Sequence, residues 1–317
     1  MIEHINNSVN SANFYIKNDI LIIVTKIYLL LIFFGIGGNI LALIIFSRKK
    51  FHNTIFSIYF RFLCLFDTFA ILFAIDDFIS YHFNIYLKGI SSFSCKFLMY
   101  LSYITPSVST WMLVIISIDR VISIVKPSRL LIRKRVEFQI IICICVLLFN
   151  LIYYIQLLFS NISSEIIEDN SNQTEIWCFV ITEHYNMIFD WIDLFYSTVI
   201  PFIFMLISTI ITLTFIFKSR KKVTISKNLI KDIKFAITSI FLNLLFLILN
   251  FPLQFYYILG DFSPIDDRDI DQLVDSLLSQ LFFLNYGVIF YISILTNSLF
   301  RAEFMIIIKN LKNILRF

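Results

Sequence analysis

Seven stretches of this chain are apolar for about the length that a helix needs to cross a membrane. Six carry no charge at all, at residues 27–46, 97–118, 138–159, 194–217, 235–260 and 276–300, and a seventh, 55–75, is interrupted by Arg61 and Asp67. A hydrocarbon core of ~30 Å takes roughly 20 apolar residues in α-helical form, and a backbone exposed to lipid must satisfy its hydrogen bonds internally. The pattern predicts an all-α membrane protein, a seven-transmembrane helix bundle over residues 27–299. Residues 1–26 form a tail whose polar beginning has no apolar segment of the signal-peptide kind. After the last span, Phe300, Phe304, Ile307, Ile308, Leu311 and Leu315 recur on one helical face, with Lys309, Lys312 and Arg316 elsewhere. Residues 300–317 read as a short amphipathic helix lying on membrane lipid.

Composition agrees. The chain is 59% hydrophobic and 15% charged, with a mean hydropathy of +0.84, where a soluble chain carries about 25% charged residues. Charge also sets the orientation. With the N-terminus outside, 20 of the 26 lysines and arginines fall on the cytoplasmic side, as the positive-inside rule requires. The odd number of spans then leaves the C-terminus in the cytoplasm. Three glycosylation sequons, at Asn6, Asn161 and Asn172, all fall on segments assigned outside. Cys64, Cys143 and Cys145 sit in apolar runs and read as small buried hydrophobes. Cys95 and Cys178 lie outside, where a disulfide bond persists. No internal repeat and no nucleic-acid-binding pattern is visible.

Polar residues inside spans carry the candidate chemistry, because each is costly there unless paired or hydrated. Asp67 is a carboxylate at mid-span. Asp119-Arg120 closes the third span, and Pro201 and Pro252 interrupt the fifth and sixth, where a lost backbone hydrogen bond favours a kink.

The segment Ser117-Ile118-Asp119-Arg120-Val121 resembles the Asp-Arg-Tyr motif that ends the third helix of rhodopsin-like G protein-coupled receptors, with valine in place of tyrosine. Cys95 precedes Arg120 by 25 residues, the family spacing. The resemblance implies a Cys95–Cys178 bridge that pins the second outer loop to the third helix. Gly38-Asn39 in the first helix and Asp67 in the second match the family's Asn and Asp around a sodium ion. Ser109, eleven residues before Arg120, and Asn285 would complete that polar core. The ion would be an allosteric one, and no other cofactor or metal is implied. Phe246, six residues before Pro252, fits a Phe-x-x-x-Trp-x-Pro pattern, with Asn250 in the tryptophan position. Asp232, twenty residues before Pro252, is the acid that would latch Arg120 in the inactive state.

The resemblance extends over about residues 27–317, with departures. No tryptophan occurs in 138–159, Thr209 stands where a tyrosine is usual, and the helix-seven Asn-Pro-x-x-Tyr motif is missing. Counting back from Phe300 puts Ser293 at that tyrosine, whereas Tyr291 would need an insertion. No lysine lies in 276–300 to hold retinal, and Ser102 replaces the aspartate of amine receptors.

The outer segments carry 17 carboxylates against five bases, a formal balance of −12 that attracts cations. What the resemblance then implies is a plasma-membrane receptor for a basic peptide, of the invertebrate neuropeptide type, acting on a heterotrimeric G protein rather than catalysing a reaction. Asp76, Asp77, Ser102, Gln254, Tyr257 and Asp275 are the ligand candidates, with Phe255 and Tyr257 receiving an apolar end. A chemosensory receptor for small molecules is the alternative of the same fold. A transporter or channel, the alternative of another class, would call for repeats and a charged path.

Overall fold

The computed structural model describes the backbone of residues 2–52, 57–83, 85, 87–125, 136–159, 162–168, 174–180, 183–220, 227–262 and 268–314, with side chains over most of the bundle from residue 22 onward. Asn161, Asn172, Asp266 and Asp267 lie outside the described residues, as do the side chains of Asn6, Asp77, Cys178 and Asp232.

Helix α1 spans Ile2–Phe46, α2 Ser57–Phe83, α3 Ser92–Val125 and α4 Val136–Tyr154, followed by a helical turn at Gln156–Phe159. Helix α5 joins Glu183–Asp193, a π-helical stretch Leu194–Val199 and Ile200–Arg220. Helix α6 is Lys227–Phe262, α7 runs through Arg268–Gly287 and Ile289–Thr296, and α8 is Ser298–Ile314. Among the described residues six helices are long and apolar enough to cross a membrane. The two parts of α7, meeting at 51°, supply the seventh span. By the orientation that the charge distribution predicts, the start of α3 lies at the outer end of the bundle, and outer and inner are used in that sense below.

The helices pack in a ring, α1 against α2 and α7, α6 against α5 and α7, with α3 through the middle touching α2, α4, α5 and α6. Phe33, Ile152 and Ile248 are each more than 60% exposed. Such a surface suits lipid and not water. The α1–α7 seam is close because it is lined by glycine: a Cβ on Gly287 would stand 3.1 Å from the Gly35 Cα. Side chains reach across it to main-chain carbonyls, Gln280 Nε2 to Val24 at 3.0 Å and Tyr291 Oη to Phe34 at 3.0 Å.

Two features modify the spans that hydropathy predicts. Pro201 lacks an N–H, and the helix just before it widens so that the Ile200 N–H reaches back five residues to the Phe195 carbonyl. Pro106, a proline that the kink prediction did not include, lies inside α3. An antiparallel hairpin, unforeseen from the sequence, pairs β1 (Ile162–Glu168) with β2 (Thr174–Val180), from Ile162↔Val180 to Glu168↔Thr174. It packs on the outer start of α3 and on the 3-10 turn Lys88–Ile90.

Candidate functional site: a polar column through the bundle

At mid-bundle Asp67 and Ser109 meet, and Asn39 and Asn285 are buried around Tyr286. Asp67 is 4% exposed and accepts a hydrogen bond from the Ser109 hydroxyl. Asn39 is fully buried and donates through Nδ2 to the Tyr286 carbonyl at 2.9 Å, while its Oδ1 is buried without a donor among the described residues. Tyr286, buried between Thr110 and Asn285, donates its hydroxyl to Asn250 Oδ1 at 3.3 Å, and Asn250 Nδ2 donates to the Phe246 carbonyl at 2.9 Å. Asn250 thus takes the tryptophan position as a polar link between α6 and α7. Phe246 is fully buried beneath it.

Toward the inner end Asp119 and Arg120 are both 2% exposed. Ser293 is 1% exposed and Tyr291 39%, so the count back from Phe300 without an insertion gives the residue that faces the core. The Ser293 hydroxyl is buried with no partner among the described residues. Below it, Arg301 Nη1 caps the end of α7 by donating to the Ile294 and Leu295 carbonyls at 2.7 Å each. Helix α8 turns its Phe300–Phe304 face inward, onto Phe46, Phe51 and Phe290. Buried in that contact, Glu303 pairs with Arg48 Nε at 2.5 Å and Lys50 Nζ at 2.7 Å. These two cations hold its carboxyl below the ordinary value of 4.5, against the effect of burial.

At the outer end four of the five described ligand candidates, Asp76, Ser102, Tyr257 and Asp275, already have partners. Asp76 Oδ2 lies 3.4 Å from Lys88 Nζ, while its Oδ1 is buried without a partner among the described residues. Tyr257 donates to Asp275 Oδ1 at 3.0 Å, and Tyr256 donates to Asp271. The half-buried Ser102 donates to the Met99 carbonyl at 2.8 Å within α3, and Gln254 is half-buried. Neither Phe255 nor Tyr257 lines the interior as expected: they are 47% and 43% exposed, and Phe255 stacks on Phe251, itself on the outside of α6. Asp193 was counted with the outer acids but is 5% exposed inside the bundle, so Asp67 is not alone as a carboxylate within a span. The reason is local. Tyr154 on α4 donates to its Oδ1 at 2.6 Å, at the residue just before the widened turn of α5. Cys145 is exposed on α4, unlike buried Cys64 and Cys143.

Two groups of side chains were missed by sequence reasoning. Asn150 on α4 accepts from Ser107 Oγ at 2.6 Å and Tyr196 Oη at 3.0 Å. Asn243 on α6 bonds Ser117 on α3 and Thr209 on α5. Both asparagines lie in uncharged apolar runs, so the cost that singles out Asp67 could have flagged them too.

No curated protein matches the chain significantly. The family model described as 7 transmembrane receptor (rhodopsin family) matches residues 38–290, most of the chain and all the elements from mid-α1 into α7. The chain belongs to the rhodopsin-like family of seven-transmembrane receptors.

Proposed function

We propose that this receptor, a multi-pass membrane protein, sits in the plasma membrane with its N-terminus outside, binds a basic peptide at its outer mouth and activates a heterotrimeric G protein within. The observation that carries the ligand class is the pairing of Lys88 with Asp76, with Asp275 also in electrostatic reach of that ammonium. The mouth already accommodates one cation between two helices, and Asp76 Oδ1, buried and without a partner among the described residues, is left to accept from another. A ligand cation that exchanges with Lys88 would draw on the acids of α2 and α7 together.

Such binding shifts an equilibrium between closed and open bundles. The hydrogen bond from Tyr286 to Asn250 ties α7 to α6, so a ligand that moves the outer part of either helix acts on the other. Asp67 and Ser109 supply oxygens suited to a sodium ion, whose positive charge would compensate the buried carboxylate, and Asn39 and Asn285 would complete the set. At the inner end Arg120, released from Asp119 and Asp232, faces the inserted G protein. Cys95 bonded to Cys178 would fasten the hairpin over the mouth, with sugar at Asn6, Asn161 and Asn172, and α8 would rest on lipid.

The test is a calcium and cyclic-nucleotide screen with basic peptides, followed by Asp76→Asn and Asp275→Asn. Each should weaken binding of an active peptide more than Asp266→Asn or Asp267→Asn, and added salt should slow association. Activation by a neutral or anionic compound, insensitive to those substitutions, would overturn the assignment of ligand class.

A further inference from the structure

Four side chains from three helices meet in the inner half of the bundle. Asn243 Nδ2 donates to Ser117 Oγ at 3.0 Å and to Thr209 Oγ1 at 3.2 Å. Ser117 Oγ also lies 3.2 Å from Asn243 Oδ1 and 3.3 Å from Ser239 Oγ. Ser117, Ser239 and Asn243 are each at most 6% exposed, so water does not substitute for any of these partners in this state. The neighbouring Thr238 on α6 shares a 2.7 Å hydrogen bond with Thr296 on α7. Ser117 stands three residues before Arg120, on the same side of α3.

We infer that Ser117, Thr209, Ser239 and Asn243 form a latch that holds the inner half of α6 against α3 and α5 and keeps the bundle closed over Arg120. The reasoning is one of partners. Asn243 takes its acceptors from two other helices. If the inner half of α6 moves outward, its amide loses both and must wait for water or another polar group. That cost falls on the open state alone, which is what a latch requires. In lipid an interhelical hydrogen bond shifts such a balance by about threefold on average. This inference rests on the proposed equilibrium between closed and open bundles, takes the inner half of α6 as its moving element, and needs no ligand.

The experiment uses full-length receptor in lipid nanodiscs, without ligand, carrying nitroxide labels at the inner ends of α3 and α6 for electron–electron distance measurement. Ser117→Ala should raise the population at long distance by about threefold. Asn243→Leu should raise it at least as much, and the double variant no more than Asn243→Leu, because the substitutions remove a shared bond. Thr214→Val is the control: its hydroxyl bonds the Ile210 carbonyl of its own helix at 2.7 Å, and the distances should not change. Unchanged distances in both Ser117→Ala and Asn243→Leu would overturn the latch. In parallel, basal nucleotide exchange on added G protein is measured for the same samples. Longer distances without added exchange would uphold the latch and tell against the G-protein reading, so the two failures are separable. Because Ser117→Ala removes a single oxygen atom, it keeps the test decisive if Asn243→Leu folds poorly.

Discussion

Replacing Glu303 by glutamine removes one charge and leaves the shape of the α8 contact almost unchanged. The carboxylate is 2% exposed and holds Arg48 at 2.5 Å and Lys50 at 2.7 Å, whereas those cations are 35% and 57% exposed. Removing one partner of a fully buried pair costs about 3–5 kcal/mol, and an exposed pair contributes about 0–1 kcal/mol. Here the two cations stay solvated when the anion is lost, so the expected cost lies nearer the lower range, about 1–2 kcal/mol. The carboxyl is held below its ordinary value of 4.5 in the folded receptor. It therefore contributes stability that is complete above that value and is lost as pH falls through the lowered folded one. Thermal unfolding of wild type and Glu303→Gln in nanodiscs should show a lower Tm for the variant at pH 7. The gap should narrow as the pH drops below about 4.5. Equal Tm values at pH 7, or a gap that persists after the carboxylate has been protonated, would refute this account of how α8 is fixed to the turn after α1.

Further outcomes follow from other contacts. Gly287→Ala should destabilise the receptor by about 1–3 kcal/mol in thermal unfolding, since its new methyl meets the Gly35 backbone at 3.1 Å. Gly37→Ala, with nothing within 4 Å, should not. Asn150→Leu should cost about 1–3 kcal/mol by the same measure, because the Ser107 and Tyr196 hydroxyls lose their common acceptor. Cys95→Ser and Cys178→Ser should each abolish surface binding of an active peptide, the double variant adding little; mass spectrometry finding both thiols free would refute the bridge. Raising sodium should lower agonist affinity in wild type, and Asp67→Asn should remove that response; a variant that still responds would exclude Asp67 as the ion's ligand.

The spans were legible because lipid leaves a helix few alternatives, so runs such as 138–159 and 235–260 report their fold by length alone. Charge within a span was equally plain at Asp67, which does meet Ser109 as its position implied. What was not legible depends on which faces meet. Asn243 and Asn150 look alike in sequence and both bond toward α3 and α5, but one donates its amide from α6 while the other accepts two hydroxyls from α4. Helix α5 starts well before its uncharged run, since Asp193 is tolerated once Tyr154 reaches it. The hairpin escaped notice because Ile162–Glu168 and Thr174–Val180 do not alternate cleanly between apolar and polar residues. Asp76 was legible as an acid near the mouth, but its partner Lys88 lies in a loop with no periodic pattern to place it.

The central claim is that Arg120, buried at the inner end of α3, couples the opened bundle to a G protein. Nucleotide exchange on purified heterotrimeric G protein, measured with receptor in nanodiscs and an active basic peptide, tests it most directly. Wild type should accelerate exchange, and Arg120→Ala should lose the acceleration while binding the peptide and reaching the surface normally. Full acceleration by Arg120→Ala, or peptide binding to wild type that accelerates exchange on no G protein, would contradict the account.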